Sequence, residues 1–193
     1  NDGGWLKIDG HSDLTGGNRF HYNAGSTLEV TGSVWFDGEV ADRNTLIFQG
    51  ENATWKGASI THYLYLGATG GDNAVIISNQ ANITALHTWI DNNDSQILVT
   101  GAGTQFTTMT NLYVGYTGIS NELRVTDGGM ASAVTGFVGY ASSSDNNRIT
   151  VEGEGSTFVN ADAMYIGYDG SASNRLDIVN GGMADLGTTY VGF

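Results

Sequence analysis

The sequence predicts an all-β protein, a right-handed parallel β-helix (β-solenoid) of about eight roughly triangular coils of about 25 residues each. Three observations carry this prediction. A short pattern of alternating apolar residues recurs along the whole chain. A turn-forming residue follows each copy of the pattern. Successive copies lie 18 to 29 residues apart, which is the length of one solenoid coil.

The repeated strand is defined by two apolar positions separated by one residue, a spacing that turns one face of a strand inward. The first positions are Leu6, Leu28, Leu46, Val75, Ile97, Leu123, Ile149 and Leu176. The second are Ile8, Val30, Phe48, Ile77, Val99, Val125, Val151 and Ile178. Two residues later the chain has Gly, Asn or Asp in every copy, which are the residue types that accept a left-handed turn.

A column of small polar residues lies two positions before the first apolar position. Five of its members are asparagines: Asn44, Asn73, Asn121, Asn147 and Asn174. Coils stack about 4.8 Å apart, so these amides can bond to one another along the axis. We interpret the column as a structural corner ladder, with a polar binding site as the alternative.

Two further strands complete each coil. One precedes the repeated strand and has the form Leu64-Tyr65-Leu66-Gly67. The other follows the turn and carries Trp55, Phe106, Met130, Phe158 and Met183. Phe and Met are expected to alternate in the interior of this strand and to interdigitate there.

The chain is predicted to be one domain over residues 1–193. Residues 1–63 have coils of uneven length, whereas residues 64–193 form regular two-coil repeats with a double period of about 52 residues. The double period is visible where Gly153-Glu154-Gly155-Ser156-Thr157-Phe158 echoes the segment from Gly101 to Phe106.

Composition restricts the partners. The formal net charge of -13 disfavours nucleic acid and anionic membranes, and no apolar run is long enough to insert into a bilayer. There is no cysteine, so disulfides and thiol chemistry are excluded.

Several segments resemble a known group of repeats. These are Tyr113–Gly118, Asn121–Gly129 and Gly153–Phe158, which are similar to the Gly-rich β-helix repeats of bacterial autotransporter passengers and of PEP-CTERM-associated proteins. The resemblance covers residues 64–193 well and residues 1–63 less well. It implies a secreted parallel β-helix at the cell surface, with roles that range over adhesion and matrix formation.

An aromatic column is the main candidate for a contact surface. Its members are Tyr65, Tyr113, Phe137, Tyr165 and Tyr190. Each stands beside an aliphatic residue assigned inward, so alternation turns the rings outward. Gly115, Gly139, Gly167 and Gly192, two positions later, are expected to leave a shallow strip beside the rings. The column would then contact a polysaccharide or a neighbouring solenoid, whereas the alternative is that the rings only cover a corner or fill the interior.

Catalysis is the alternative class, because parallel β-helices also include polysaccharide-degrading enzymes, which use clustered carboxyl groups. The candidates are Glu152 with Glu154, which we interpret as turn residues, and Glu122 with Arg148, which we interpret as a surface ion pair between adjacent coils. The four histidines show no metal-ligand spacing. We therefore predict no enzyme activity, no catalytic residue, no metal site and no cofactor.

Calcium is the one cofactor left open. The pairs Asp37-Gly38, Asp127-Gly128 and Asp169-Gly170 fit either weak calcium binding or plain turn geometry.

The expected function is that of a secreted structural β-solenoid in a cell-surface or matrix fibre or adhesin, with a carbohydrate-binding passenger fragment as the alternative. Head-to-tail polymerisation is also expected. If Tyr190-Val191-Gly192-Phe193 of one chain were followed by the first residues of a second chain, the two segments would form a nearly normal coil. The contact residues would be Asn1, Trp5, Leu6 and Ile8 with Tyr190, Val191 and Phe193. The alternative is that the chain is a fragment of a longer passenger, whose ends would also stop partway through a coil.

Overall fold

The computed structural model describes residues 63–67 and 71–193, together with strands at 5–8, 12–14, 19–22, 27–30, 34–36, 45–49 and 54–57. Side chains are described for Ile47 and Phe48, for residues 64–67 and for residues 71–193. Asn1, Asn44, Asp37-Gly38, His11 and His62 lie outside the described residues.

Short strands make up almost all of the described chain. The first eight are β1 (Trp5–Ile8), β2 (Ser12–Leu14), β3 (Arg19–Tyr22), β4 (Thr27–Val30), β5 (Val34–Phe36), β6 (Thr45–Gln49), β7 (Thr54–Gly57) and β8 (Tyr63–Leu66). The others are β9 (Ala74–Ser78), β10 (Asn82–Ala85), β11 (His87–Ile90), β12 (Gln96–Thr100), β13 (Gln105–Thr108), β14 (Asn111–Val114), β15 (Glu122–Thr126), β16 (Met130–Ala133), β17 (Thr135–Val138), β18 (Arg148–Glu152), β19 (Thr157–Ile166), β20 (Arg175–Val179) and β21 (Met183–Val191).

These strands form the predicted parallel β-solenoid with three faces. Face 1 contains β1, β4, β7, β10, β13, β16 and the first halves of β19 and β21. Face 2 contains β2, β5, β8, β11, β14, β17 and the second halves of β19 and β21. Face 3 is a separate seven-stranded sheet of β3, β6, β9, β12, β15, β18 and β20. The register of β19 shifts between Asn160 and Ala163, where the strand turns from face 1 to face 2.

The core is built from the inward columns of the three faces. On face 3, Leu123 and Val125 are both 0% exposed, which confirms the predicted inward direction of the repeated strand. On face 2, Leu112 and Val114 are buried in the same way. Apolar burial of this kind contributes about 1.5–3 kcal/mol per large side chain and holds the coils together without any disulfide.

The interior of face 1 differs from the prediction. Phe106 pairs in register with Ala131, and Ala131 pairs with Phe158, so large and small residues alternate inside. Met130 and Met183 lie one position earlier and point away from the core, with Met183 62% exposed. The predicted alternation of Phe and Met was therefore wrong, because an inward Phe already fills the space that a second large side chain would need.

The predicted number of coils was also wrong. Leu6 and Leu28 pair with each other and then with Trp55, so β1 and β4 belong to face 1 and not to the repeated strand of face 3. Phe20 of β3 takes the missing place on face 3, opposite Leu46. The repeated strand thus has seven described copies instead of eight, and side chains are described for about five coils.

The turns that end the repeated strands have the expected left-handed backbone. Asp127 has φ 53° and Asn180 has φ 51° at equivalent positions in different coils. In the part of the chain that is described, the only helical element is a 3-10 turn over Tyr168–Gly170. Among these same residues, no helix is long and apolar enough to cross a membrane.

Candidate functional site

A ladder of stacked aromatic rings runs along the outside of face 2. We call it ladder 1, and its described members are Tyr65, Trp89, Tyr113, Phe137, Tyr165 and Tyr190. Tyr113 and Phe137 have ring centroids 4.9 Å apart and planes within 9° of each other. Phe137 and Tyr165 are 5.0 Å apart at 7°. The backbone pairing of parallel strands sets this spacing, since each coil carries one ring at the same register position.

The rings of ladder 1 point outward, as the alternation predicts. Tyr113 stands between Leu112 and Val114, which are 1% and 0% exposed, whereas the Tyr113 ring itself is only partly buried. The five predicted residues therefore do lie in one external column. Their contact with a glycan or a second solenoid stays a prediction.

Trp89 is a member of this ladder that the sequence pattern did not identify. Its ring stacks on Tyr65 at 5.5 Å and on Tyr113 at 5.7 Å. The coil was missed because Thr88 takes the inward place that Leu64, Leu112 and Met164 take in other coils. The buried Thr88 hydroxyl is satisfied by a 2.8 Å hydrogen bond with the Thr108 hydroxyl, so a polar residue is tolerated inside.

A second ladder lies beside the first, at the corner between faces 2 and 3. We call it ladder 2, and its members are Tyr116, Tyr140, Tyr168 and Phe193. Successive centroids are 4.8, 5.1 and 5.4 Å apart, with planes within 15°. The sequence signal for this ladder is an aromatic residue directly after Gly115, Gly139, Gly167 and Gly192, the glycines that follow the last four face 2 strands.

The two ladders pack edge to face. Tyr113 of ladder 1 meets Tyr116 and Tyr140 of ladder 2 at 5.3 Å, with interplanar angles of 87° and 89°. Phe137 meets Tyr140 and Tyr168 in the same way. Aromatic pairs in such arrangements contribute about 0.5–1.5 kcal/mol each beyond the area that they bury. The ladders thus form an external aromatic cluster that ties successive coils together.

Three of the four glycines beside ladder 1, Gly115, Gly139 and Gly167, are buried and do not form the predicted exposed strip, whereas Gly192 is exposed. Gly115 and Gly139 are buried, and both have a positive φ, 79° and 74°. A methyl group on Gly115 would overlap the Asn147 side chain, and one on Gly139 would overlap Asn174. The prediction was wrong because the chain turns at these glycines, which brings their α-carbons against the asparagine column instead of leaving them outside.

The asparagine column is a ladder, as the structural interpretation predicts. Asn147 Oδ1 accepts hydrogen bonds from the backbone N–H and the side-chain amide of Asn121, at 2.9 and 3.0 Å. Asn174 Oδ1 accepts in turn from the backbone N–H of Asn147 at 2.8 Å. Asn121 and Asn147 are fully buried. Their hydrogen-bonding groups therefore face one another and the turns, and are not offered to a ligand.

Asp91 connects the aromatic cluster to the same corner. This buried carboxylate replaces the glycine found at the equivalent position of other coils. It accepts hydrogen bonds from the Tyr65 hydroxyl at 3.0 Å and from the backbone N–H groups of Thr117 and Gly118, both at 2.8 Å. Asp91 thus fixes the loop that follows Tyr116, and sequence reasoning did not single it out.

Face 3 carries three arginine–carboxylate ion pairs. The Arg148 guanidinium donates to Glu122 in the neighbouring coil at 2.8 Å, which confirms the predicted ion pair. Arg124 forms a second pair with Glu152, and Arg175 forms a third with Asp177. A shallow groove here is lined by Gln96, Thr100, Arg124, Asp127, Glu152 and Asn180.

The candidate catalytic carboxylates are not arranged as an isolated pair. Glu152 is engaged by Arg124 and also accepts from Asn180 at 3.2 Å, whereas Glu154 lies exposed on the turn between Gly153 and Gly155. Burial raises the pKa of Glu122. The hydrogen bonds from Arg148 and Thr150 and the positive charges of Arg148 and Arg124 lower this pKa by more than burial raises it, so it lies below its ordinary value. Glu122 therefore resembles a charged partner in an ion pair, and the absence of activity stays a prediction.

The Asp-Gly pairs adopt turn geometry. Asp127 and Gly128 have φ of 53° and 81°, and Asp169 and Gly170 have 51° and 78°. Within residues 63–67 and 71–193 and the earlier described strands, no group of three or more His, Cys, Asp or Glu side chains is placed to hold a metal ion. Weak calcium binding stays untested.

The register predicted for an end-to-end contact was wrong. It required Leu6 and Ile8 to continue the coil as a face 3 strand after Phe193, but β1 pairs with β4 on face 1. Tyr190 and Val191 lie at the end of β21 and Phe193 follows it, with Val191 75% exposed and Phe193 62%. Head-to-tail stacking itself stays a prediction.

No family model, curated protein or solved structure matches this chain. The resemblance to autotransporter and PEP-CTERM-associated repeats therefore stays a prediction from the sequence motifs.

Proposed function

We propose that this chain is a rigid structural segment of an extracellular fibre or adhesin at a cell surface or in a matrix. The observation that carries the proposal is that separate ladders of different chemistry join the same coils along one axis. Backbone hydrogen bonds link the strands, Asn121 and Asn147 link the corner, and the two aromatic ladders link the outside.

The distribution of polar groups supports a structural role. The buried amides of Asn121 and Asn147 bond to other groups of the fold, and the arginines of β15, β18 and β20 are each paired with a carboxylate. The ring faces in both ladders are turned toward neighbouring rings. Amide, carboxylate and guanidinium side chains, which often serve catalysis in enzymes, thus hold adjacent coils together here.

The decisive experiment is localisation. Gold-labelled antibodies against the chain, applied to intact cells of the producing organism, are expected to decorate the cell surface or extracellular fibres in electron micrographs. Antibodies against a cytoplasmic protein serve as the control. Labelling that appears only after the cells are permeabilised would overturn the extracellular assignment.

A separate assay addresses catalysis. Incubation of the protein with pectin, alginate and neutral glucans is expected to release neither unsaturated nor reducing sugars. Release of sugars that stops in the Glu152→Gln variant would make the chain an enzyme and end the structural proposal.

Polysaccharide binding is the second candidate, and one observation favours a neutral glycan over an acidic one. The only Lys or Arg residues between positions 64 and 193 are Arg124, Arg148 and Arg175, and all lie on face 3. The aromatic cluster therefore has no such cation to pair with a uronate or a sulfate, while its partly exposed ring edges and phenol hydroxyls can contact sugar hydroxyls. Co-sedimentation with insoluble neutral glucan, compared between the native protein and a Tyr113→Ala variant, tests this candidate. Equal retention of the two proteins would contradict it.

A further inference from the structure

We propose that ladder 2 is a site of oxidative cross-linking, at which dityrosine bonds join Tyr140 to Tyr116 or to Tyr168 in the adjacent coils. The proposal stands on the stacking of three consecutive tyrosines in one external column. It does not depend on where the protein is located or on whether it binds a glycan.

The geometry brings like ring atoms of neighbouring tyrosines close together. The rings of Tyr116 and Tyr140 have centroids 4.8 Å apart and planes within 9°, and those of Tyr140 and Tyr168 are 5.1 Å apart at 12°. Nearly parallel rings at equivalent positions of successive coils differ mainly by a shift along the solenoid axis. The carbon ortho to each hydroxyl is therefore about as far from its equivalent in the next ring as the centroids are.

Access and composition also favour this site. Tyr116, Tyr140 and Tyr168 are partly exposed, so an oxidant can reach them. In ladder 1, Phe137 separates Tyr113 from Tyr165, and only Tyr165 and Tyr190 form a stacked tyrosine pair, at 4.9 Å. The chain contains no cysteine, so a tyrosine link would supply a covalent bond between coils that a disulfide cannot.

The chemistry balances with an external oxidant of the haem peroxidase class and one hydrogen peroxide per bond. Each of two phenols gives up one electron and one proton and becomes a tyrosyl radical. The radicals combine through one ortho carbon of each ring, and the hydrogen on each of these carbons then moves to the oxygen. Hydrogen peroxide takes up the two electrons and two protons and leaves as two molecules of water.

A bond of this kind would close one coil covalently. Tyr116 and Tyr140 are 24 residues apart, and Tyr140 and Tyr168 are 28 apart, which is one turn of the solenoid in each case. Cross-linking across a loop restricts the unfolded chain and so favours the folded state. We expect the oxidised protein to unfold at a higher temperature than the untreated protein.

The test treats the dilute folded chain with a haem peroxidase and hydrogen peroxide and maps the products by proteolysis and mass spectrometry. The expected result is monomeric protein that has lost two hydrogens per bond, shows dityrosine fluorescence, and yields cross-linked peptides containing Tyr140 with Tyr116 or Tyr168. The Tyr140→Phe variant keeps the stacked ring and should lose these peptides. The matched Tyr113→Phe variant should keep them.

Three results would overturn the proposal. The first is a folded monomer that yields no peptide linked through Tyr140. The second is a product that consists only of linked dimers. The third is an equal yield of the Tyr140 links in denaturant, which would show that the stacking does not direct the coupling.

Discussion

Glu122 and Arg148 occupy the same register position in adjacent coils of face 3, and their side chains meet at 2.8 Å. Glu122 also accepts hydrogen bonds from Thr150 at 2.8 Å and from Gln96 at 3.1 Å. Its side chain is 8% exposed, whereas that of Arg148 is 40% exposed. A carboxylate that is nearly buried on the outside of a sheet is therefore supported from the coils on both sides.

The Glu122 pair predicts a specific loss of stability in acid. The pKa of Glu122 is lower in the folded protein than its ordinary value, so the pair stabilises the fold above about pH 4.3 and the contribution is lost as the pH falls through the folded-state pKa. At neutral pH the Glu122→Gln variant should lose about 1–3 kcal/mol of unfolding free energy. Urea unfolding of both proteins between pH 3 and 7 should show this difference shrinking toward acid. The exposed Glu154→Gln variant is the control, and a pH-independent difference would contradict the assignment.

The asparagine ladder predicts a large cost for removing one amide. Replacing Asn147 by Ala leaves the buried N–H of Asn121 and the carbonyl of Gly118 without their partners. Each buried group left unsatisfied costs about 1–3 kcal/mol. The Asn147→Ala variant should therefore unfold at a clearly lower urea concentration, while Ser142→Ala on an exposed turn should not. Equal midpoints for the two variants would show that the ladder contributes little.

Two glycines with the same backbone angle should respond differently to alanine. Gly115 has φ 79° and Gly170 has φ 78°, but a methyl group on Gly115 would overlap Asn147, whereas nothing lies within 4 Å of one on Gly170. The Gly170→Ala variant should lose only the cost of the left-handed conformation, about 1–2 kcal/mol. The Gly115→Ala variant should lose considerably more, as measured by thermal unfolding. Similar melting temperatures for both would mean that the corner around Asn147 can adjust.

Asn160 predicts a stabilising substitution. It is 1% exposed, and neither its Nδ2 nor its Oδ1 has a hydrogen-bond partner in the described part of the protein. Its register neighbours, Ala133 and Leu186, are apolar. The Asn160→Leu variant should gain about 1 kcal/mol, because the penalty for an unsatisfied buried amide disappears. Asn160→Ala, which also leaves a cavity, should gain less. A lower melting temperature for both variants than for the native protein would contradict the prediction and indicate that the amide is hydrated inside.

The fold class followed from local patterns, but the assignment of strands to faces did not. Leu6 and Ile8 fit the template of the repeated strand as well as Leu123 and Val125 do, because any inward strand of a solenoid alternates in the same way. Phe20 and Tyr22 show the same alternation, and Phe20 follows Asn18 by two positions and precedes Leu46 by 26 residues. Only the pairing of Leu6 with Leu28 and of Phe20 with Leu46 separates the two faces.

The candidate surface was predicted in part for a similar reason. Ladder 1 was visible because Tyr113, Phe137 and Tyr165 share one motif. Trp89 was hidden by the inward Thr88, whose hydroxyl finds its partner in Thr108 of the following coil. Ladder 2 was hidden because Tyr116 follows a glycine, after which strand alternation no longer tells the direction of a side chain.

The sequence by itself determined that inward and outward side chains alternate, that a turn ends each repeated strand, and that this pattern recurs once per coil. Those properties depend on neighbouring residues and on the backbone preferences of Gly, Asn and Asp. Tertiary structure decided which strands share a face, that Gly115 lies under Asn147, and that Tyr113 meets Tyr116 and Tyr140 edge to face. These contacts join residues one coil apart. Their geometry depends on how far each coil shifts and turns against the next, and the local pattern does not encode that quantity.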